Sequence, residues 1–321
     1  MKKKTEEVPL AVVKIYPVLK QVHYHTSSGS DFLDQAWSDM VFHFNIMWSR
    51  HDLSGGNPSM ILDDILRWKM IEVEEAKKRI SPETMREAAL SAPPPLDFHA
   101  AISEGKTISV IAEVKKASPS RGTIREDFDP VALARRYEEC GAAAVSVLTD
   151  ERFFQGSLEY LRHIRGAVRL PLLRKDFIID EYQINEARAA GADAVLLITG
   201  MIDAGLLGSL YRAARGLCMS VLVETHTEEE AAEALSIRPR IIGVNNRNLK
   251  DFSMDMDRTA RVGRMISPGV CLVSESGIRT REDMEYLARC GARAALVGET
   301  LMRAEDPGTA LKDLLGISVA G

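Results

Sequence analysis

A Gly-Ala step followed by a short apolar strand recurs at Gly141-Ala-Ala-Ala-Val145, Gly191-Ala-Asp-Ala-Val195 and Gly291-Ala-Arg-Ala-Ala295, at intervals of 50 and then 100 residues. The missing member falls where expected, at Arg238-Pro-Arg-Ile-Ile-Gly243, a helix exit running into a strand near 241. Between these lie apolar runs at 108–113, 170–174, 220–224 and 271–275, which makes eight strands, each followed by an amphipathic segment. Strands that are apolar on both faces and alternate with helices belong to a parallel sheet covered on both sides. Eight such units in about 210 residues predict an α/β chain folded as a closed (β/α)8 (TIM) barrel. An open doubly wound sheet is the second architecture compatible with the pattern.

Helix starts are legible as well. Asp129 precedes Pro130-Val-Ala-Leu-Ala-Arg-Arg-Tyr137 as an N-cap, with proline where a missing N–H costs little. Thr280-Arg-Glu-Asp283 has the capping-box pattern. Ahead of strand 1, Ile61–Lys78, Pro82–Arg86 and Ala89–Ile102 read as a helical extension that covers the barrel's mouth or its base. The expected division is therefore a single catalytic barrel over 60–321, including a helical preface at 60–105, after a leader at 1–59. That leader holds four of the seven histidines and two of the three tryptophans, shows no sustained period, and ends just before Met60. It is expected to be disordered or absent from the native protein, and its His23-x-His25 pair is a weak metal motif.

Six of the apolar runs end on residues that can do chemistry: Glu113 and Lys115, Lys175, Glu224, Asn245 and Arg247, Glu275, and Gly298. A buried parallel strand delivers its last residue to the carboxyl edge of the sheet, where such folds keep their ligands. Alternation points Glu113 and Lys115 the same way. Lys175 is suited to donate a proton, and Glu224 and Glu275 are two carboxylates able to hold different protonation states in one pocket. Asn245 and Arg247 offer neutral and cationic donors. Glu275-Ser276-Gly277 after strand 7 and Gly298-Glu299-Thr300 after strand 8 occupy the two loops that commonly cradle phosphate in such barrels. That reading requires the Glu299 carboxylate to turn away while its loop offers backbone N–H groups.

Bulk properties narrow the partners. At 45% hydrophobic and 27% charged, the 321 residues have ordinary globular composition. A net charge of −5 removes any general attraction to nucleic acid or anionic membrane, so an anionic substrate has to be met by local cations and N–H groups. Cys140, Cys218, Cys271 and Cys290 lack metal-ligand or CxxC spacing and are expected to be free thiols. No apolar stretch approaches the ~20 residues a bilayer requires, and a cytoplasmic protein is expected.

Taken in order, Glu113-Val-Lys115-Lys-Ala-Ser118-Pro119-Ser120, Leu-Thr149-Asp150-Glu-Arg-Phe153-Phe154-Gln155-Gly156-Ser157, Leu172-Leu-Arg-Lys175-Asp176-Phe177, Glu224-Thr, Asn245-Asn-Arg247-Asn-Leu249 and Ser274-Glu275-Ser276-Gly277-Ile278 resemble the signatures of the indole-3-glycerol-phosphate synthases. The resemblance covers about 60–317. Ala117 and Asn246 depart from some members, in which lysine and serine can occur.

The resemblance implies a carbon–carbon lyase of tryptophan biosynthesis. It closes 1-(2-carboxyphenylamino)-1-deoxyribulose 5-phosphate to indole-3-glycerol phosphate with loss of carbon dioxide and water, and needs no metal or organic cofactor. Lys175 becomes the general acid, with Glu113 and Lys115 as paired charges beside it and Lys115 also helping to place the anionic substrate. Glu224 joins the proton transfers of dehydration and Asn245 positions a hydroxyl or the intermediate. Ser118 and Arg247 lie near the substrate carboxylate, Phe154 faces the anthranilate ring, and Glu275 and Ser276 complete the pocket. Lys115, Ser276, Gly277, Gly298, Glu299 and Thr300 form the phosphate site. A monomer or weak homodimer with a small phosphosugar substrate is expected. A phosphoribosylanthranilate isomerase is the nearest alternative, but it calls for a cysteine after strand 1 and an aspartate after strand 6, where Glu113/Lys115 and Asn245 stand. A non-catalytic scaffold barrel predicts missing rim charges, and none is missing.

Overall fold

The computed structural model describes residues 58–317, apart from Lys106, Ser120 and 249–251. The expectations for residues 1–57 of the leader, with His23 and His25, lie outside the described residues, whereas Pro58 and Ser59 already belong to the first helix. Eight strands form the barrel: β1 (Ser109–Val114), β2 (Ala144–Leu148), β3 (Leu172–Lys175), β4 (Ala194–Ile198), β5 (Ser220–Thr225), β6 (Ile241–Asn245), β7 (Cys271–Glu275) and β8 (Ala294–Val297). All neighbours are parallel and β8 closes on β1, with Val110 opposite Ala295 and Ala112 opposite Val297. The sheet is closed, which rules out the open alternative.

Period-2 alternation divides each strand between two cores. Val110, Ala112 and Val114 of β1 pack outward against the helices, whereas Ile111 joins Leu173, Leu196, Leu222, Val273 and Leu296 inside the barrel. Each of these interior residues is followed two positions later by a residue at the barrel mouth: Glu113, Lys175, Ile198, Glu224, Glu275 and Gly298. Chain geometry alone therefore sets one layer of functional groups above one layer of aliphatic packing.

The preface comprises α1 (Pro58–Arg79), α2 (Pro82–Ser91) and α3 (Phe98–Ser103). The expected helices Pro82–Arg86 and Ala89–Ile102 are redistributed. The first runs on to Ser91, and the prolines at 93–95 forbid a helix across the gap, so α3 begins only at Phe98 after its Asp97 N-cap. Phe98 and Ile102 are fully buried in the barrel interior. The segment just before α3 is fixed to the amino-terminal side of the strands, where Asp193 accepts from Leu96 N and Leu172 N, both at 2.8 Å. The preface thus serves both ends, because α1 reaches the carboxyl side.

The connecting helices are α4 (Pro130–Glu139), α5 (Glu151–Phe154), α6 (Leu158–Arg165), α7 (Glu181–Ala189), α8 (Ala204–Gly216), α9 (Glu228–Ser236), α10 (Asp257–Gly263), α11 (Arg281–Arg289), α12 (Glu299–Arg303) and α13 (Pro307–Leu315). Asp129 caps α4 through Val131 N and Ala132 N, and Thr280 and Asp283 form the expected capping box of α11. All four cysteines are free. No helix among the described residues is long and apolar enough to cross a membrane.

Candidate active site

A cavity of about 650 Å³ opens at the carboxyl ends of the strands. Its lining includes Glu113, Lys115, Ser118, Phe154, Lys175, Glu224, Asn245, Arg247, Glu275, Ser276, Gly277, Gly298, Glu299 and Thr300, so every residue expected at the site from the sequence borders one space.

At its floor the charges are arranged in contact. Lys175 Nζ lies 3.1 Å from Glu224 Oε2 and 3.6 Å from Glu275 Oε2, and Lys115 Nζ lies 2.5 Å from Glu113 Oε1. Asn245 Nδ2 donates to Glu224 Oε1 at 2.9 Å, while its Oδ1 accepts from Arg247 N at 3.0 Å, which orients the Asn245 amide between strand end and loop. Burial would lower the Lys175 ammonium, but Glu224, Glu275 and Glu113 outweigh it and hold the group above the usual lysine range. Burial likewise opposes ionisation of Glu224, and Lys175, His226 and Asn245 reverse that and push it well below the ordinary carboxylate range. Glu275 receives less compensation: burial and the negative Glu224 push it up to about 8. One carboxylate is thus an anion at neutral pH and its neighbour carries a proton, the separation that acid–base work requires.

Two glycines make room for this cluster. A Cβ on Gly298 would run into Glu113 Oε1 and stand 2.9 Å from Lys115 Nζ, and a Cβ on Gly243, inside β6, would run into Glu275 Oε1. Gly298 therefore seats the Glu113–Lys115 pair as well as opening the last loop. Ser276 and Gly277 both have positive φ, 66° and 82°, which bends the β7 exit sharply. The Glu299 carboxylate lies among cations that border the same cavity, with Arg247 Nη2 at 3.1 Å, Arg303 Nε at 3.1 Å and Arg121 Nε at 3.5 Å. Thr300 Oγ1 donates to Ile278 O at 2.5 Å, so what that residue offers an incoming anion is its backbone. Phe154 and Phe177 form an aromatic wall with ring centroids 6.0 Å apart.

Three functional residues escaped the sequence reading: Gly243, His226 and Lys69. His226 sits between Glu224 and Glu230, with Nε2 3.0 Å from Glu224 Oε1 and Nδ1 3.1 Å from Glu230 Oε2. Lys69 of α1, fully buried, reaches Asp150 and Asp176, each at 2.9 Å. Its signal was invisible because a lysine on an amphipathic helix reads as solvated. Gly243 and His226 carried weak signals, a glycine inside a strand and an imidazole two residues beyond a strand-end carboxylate.

Charged groups converging at the carboxyl ends of a closed parallel barrel mark the class: a (β/α)8-barrel enzyme suited to acid–base chemistry on a small substrate. Among solved structures, 3-hexulose-6-phosphate synthase (TM-score 0.54, 16% identity, covering 66% of this chain and 100% of that one) has this fold. So does the N-acetylmannosamine-6-phosphate 2-epimerase from Clostridium perfringens (TM-score 0.53, 14% identity, 71% and 99%). Residues 62–314 match the indole-3-glycerol phosphate synthase family model, and the chain belongs to that family. It is 50% identical over 258 residues to the indole-3-glycerol phosphate synthase of Desulfotalea psychrophila, covering 80% of this chain and 98% of that protein. It is 48% identical over 263 residues to that of a Polaromonas species, covering 81% and 99%.

Proposed function

We propose that the charged ring at the barrel mouth closes the indole ring of 1-(2-carboxyphenylamino)-1-deoxyribulose 5-phosphate, giving indole-3-glycerol phosphate, carbon dioxide and water. Family membership over 62–314 assigns the chain this synthase activity, a carboxy-lyase step of tryptophan biosynthesis. The roles of individual side chains follow from chemistry and geometry. As the aromatic carbon bearing the carboxylate attacks the ribulose carbonyl, Lys175 protonates the carbonyl oxygen. The carboxylate leaves as carbon dioxide and restores aromaticity. The hydroxyl then departs as water on taking a second proton from Lys175, reprotonated from solvent, while Glu224, the group held as an anion, removes a proton from the adjacent carbon.

Binding supplies the rest. The backbone of Gly277 and Gly298–Thr300, with Ser276 and Lys115, receives the phosphate; Glu299 contributes its N–H while its carboxylate stays with arginines. Ser118 and Arg247 meet the substrate carboxylate, and Phe154 stacks against the anthranilate ring. Anchoring a flexible substrate at both ends brings the reacting carbons together, and positioned proton transfer adds typically ~10²–10⁴-fold. The reaction so written uses side chains alone. The same reading places the reaction in a monomer or weak homodimer acting in the cytoplasm.

The observation that carries this reading is the Lys175 ammonium held 3.1 Å from Glu224 and 3.6 Å from Glu275 in the pocket. Incubating the purified protein with the carboxyphenylamino ribulose phosphate and following indole fluorescence tests it. Appearance of product supports the synthase; isomerised phosphosugar without an indole chromophore would favour the isomerase, and no turnover a scaffold.

A further inference from the structure

The reaction scheme uses Glu224 but leaves unexplained the imidazole beside it. We infer that His226 is a positioning residue for the reaction: wedged as a cation between Glu224 and Glu230, it keeps the Glu224 carboxylate in place as the anionic partner of Lys175. The inference rests on the proposed role of Glu224.

Three observations carry it. First, His226 follows the last residue of β5 and is buried, and both ring nitrogens face carboxylate oxygens, at 3.0 Å from Glu224 Oε1 and 3.1 Å from Glu230 Oε2. A protonated ring sets positive charge against both carboxylates, whereas a neutral ring would leave a nitrogen lone pair facing one of them. The Glu224 side is a close ionic contact in which the N–H is not aimed at the oxygen, so charge counts there more than hydrogen-bond geometry. Second, Glu230 is doubly fixed. Its carboxylate accepts from His226 N at 2.6 Å, and its own N–H donates to the Thr227 cap of α9 at 3.2 Å. Third, space for it is built in: Gly200, in the turn after β4 with φ 83°, would place a Cβ 2.8 Å from Glu230 Oε1.

The result is a chain of contacts from the first turn of α9 to the pocket: Glu230, His226, Glu224, Lys175. Burial opposes the charge on the ring, but the two carboxylates push it up to about 9. Glu275 of β7 faces the same cluster as a further carboxyl, and Lys175 of β3 reaches it through Glu224. A glutamate with only a lysine beside it would lose its anchor whenever that lysine gave up its proton to substrate. With His226 behind it, Glu224 keeps a cationic neighbour through the step.

The test compares kcat/KM from pH 3 to 10 for the full chain, His226→Gln and Glu230→Gln, with the ring nitrogens of His226 observed by 15N NMR. Glutamine retains an amide donor and drops the charge. The expected result is a ring doubly protonated at pH 8, and an acidic limb displaced upward by about one pH unit in His226→Gln, a tenfold change in the proton equilibrium. In Glu230→Gln the displacement is smaller, the ring loses its proton at lower pH, and KM changes less than kcat. A neutral ring at pH 8, limbs at the wild-type position in both variants, or an equal rate loss at every pH would overturn it, the last being the mark of a purely structural residue. If Glu224→Gln turned over like the wild type, the reaction scheme would fall, and the protonation state of the ring would still decide whether the wedge exists.

Discussion

The ammonium of Lys69 rests 2.9 Å from the carboxylate of Asp176, and through that contact the helical preface is fastened to the residue next to Lys175. The same ammonium lies 2.9 Å from Asp150, whose side chain caps the four-residue helix that ends at Phe154. Arg152 of that helix stacks its guanidinium 4.0 Å from the Trp68 ring centre. One buried lysine therefore sets the lie of both the strand end at Lys175 and the aromatic wall.

Replacing Lys69 with methionine keeps the volume, takes from buried Asp150 the ammonium beside it and leaves Asp176 to Arg174 alone. Breaking a buried ion pair from one side costs about 3–5 kcal/mol, so Lys69→Met is expected to lower the unfolding free energy by that order. Urea unfolding followed by tryptophan fluorescence measures it. A loss below about 1 kcal/mol would show that the aspartates find other partners.

Asp176 also makes stability depend on acid. Burial opposes its ionisation, but Lys69, Arg174 and Thr149 outweigh it and bring its pKa from 3.8 to about 2. A carboxyl depressed in the folded state contributes stability above its unfolded pKa and loses it as pH falls toward the folded value, so this contribution vanishes between about pH 4 and pH 2. The depression corresponds to roughly 2 kcal/mol. Thermal melts across this range should show a steeper acid decline in the wild type than in Asp176→Asn, already the less stable at pH 7. Parallel declines would remove Asp176 from the account.

Glu275 predicts the opposite limb. Pushed up to about 8, it is protonated at pH 7 and becomes a second anion beside Glu224 as the medium turns alkaline, tightening the hold on the Lys175 proton. Glu275→Gln mimics the protonated form, so turnover at pH 7 is expected within about tenfold of wild type, with a weaker fall in kcat above pH 8. An unchanged alkaline limb would assign that ionisation elsewhere.

Much of this site is legible in the sequence because strand alternation is rigid. Once Ile111, Leu173, Leu222 and Val273 face inward, Glu113, Lys175, Glu224 and Glu275 have no other side to occupy. Capping patterns at Asp129 and Thr280 are equally local. What escaped depends on packing between distant segments. Nothing around Lys69 on α1 signals that Asp150 and Asp176, far along the chain, will bury it. The run of prolines at 93–95 divides what looked like one helix, a local rule outvoting apolar periodicity. Strand β3 begins at Leu172, two residues later than its apolar run, just past Pro171, which has no N–H to give a ladder. Gly243 reads as a weak spot in β6 until the Glu275 carboxylate is seen beside it.

Lys175 as the proton donor is the most exposed part of the account. Steady-state turnover of Lys175→Ala, followed by indole fluorescence beside a direct measurement of substrate affinity, tests it. Loss of the positioned acid predicts a fall in kcat of about 10²-fold or more, with affinity kept within about tenfold. Turnover near that of the wild type would contradict it.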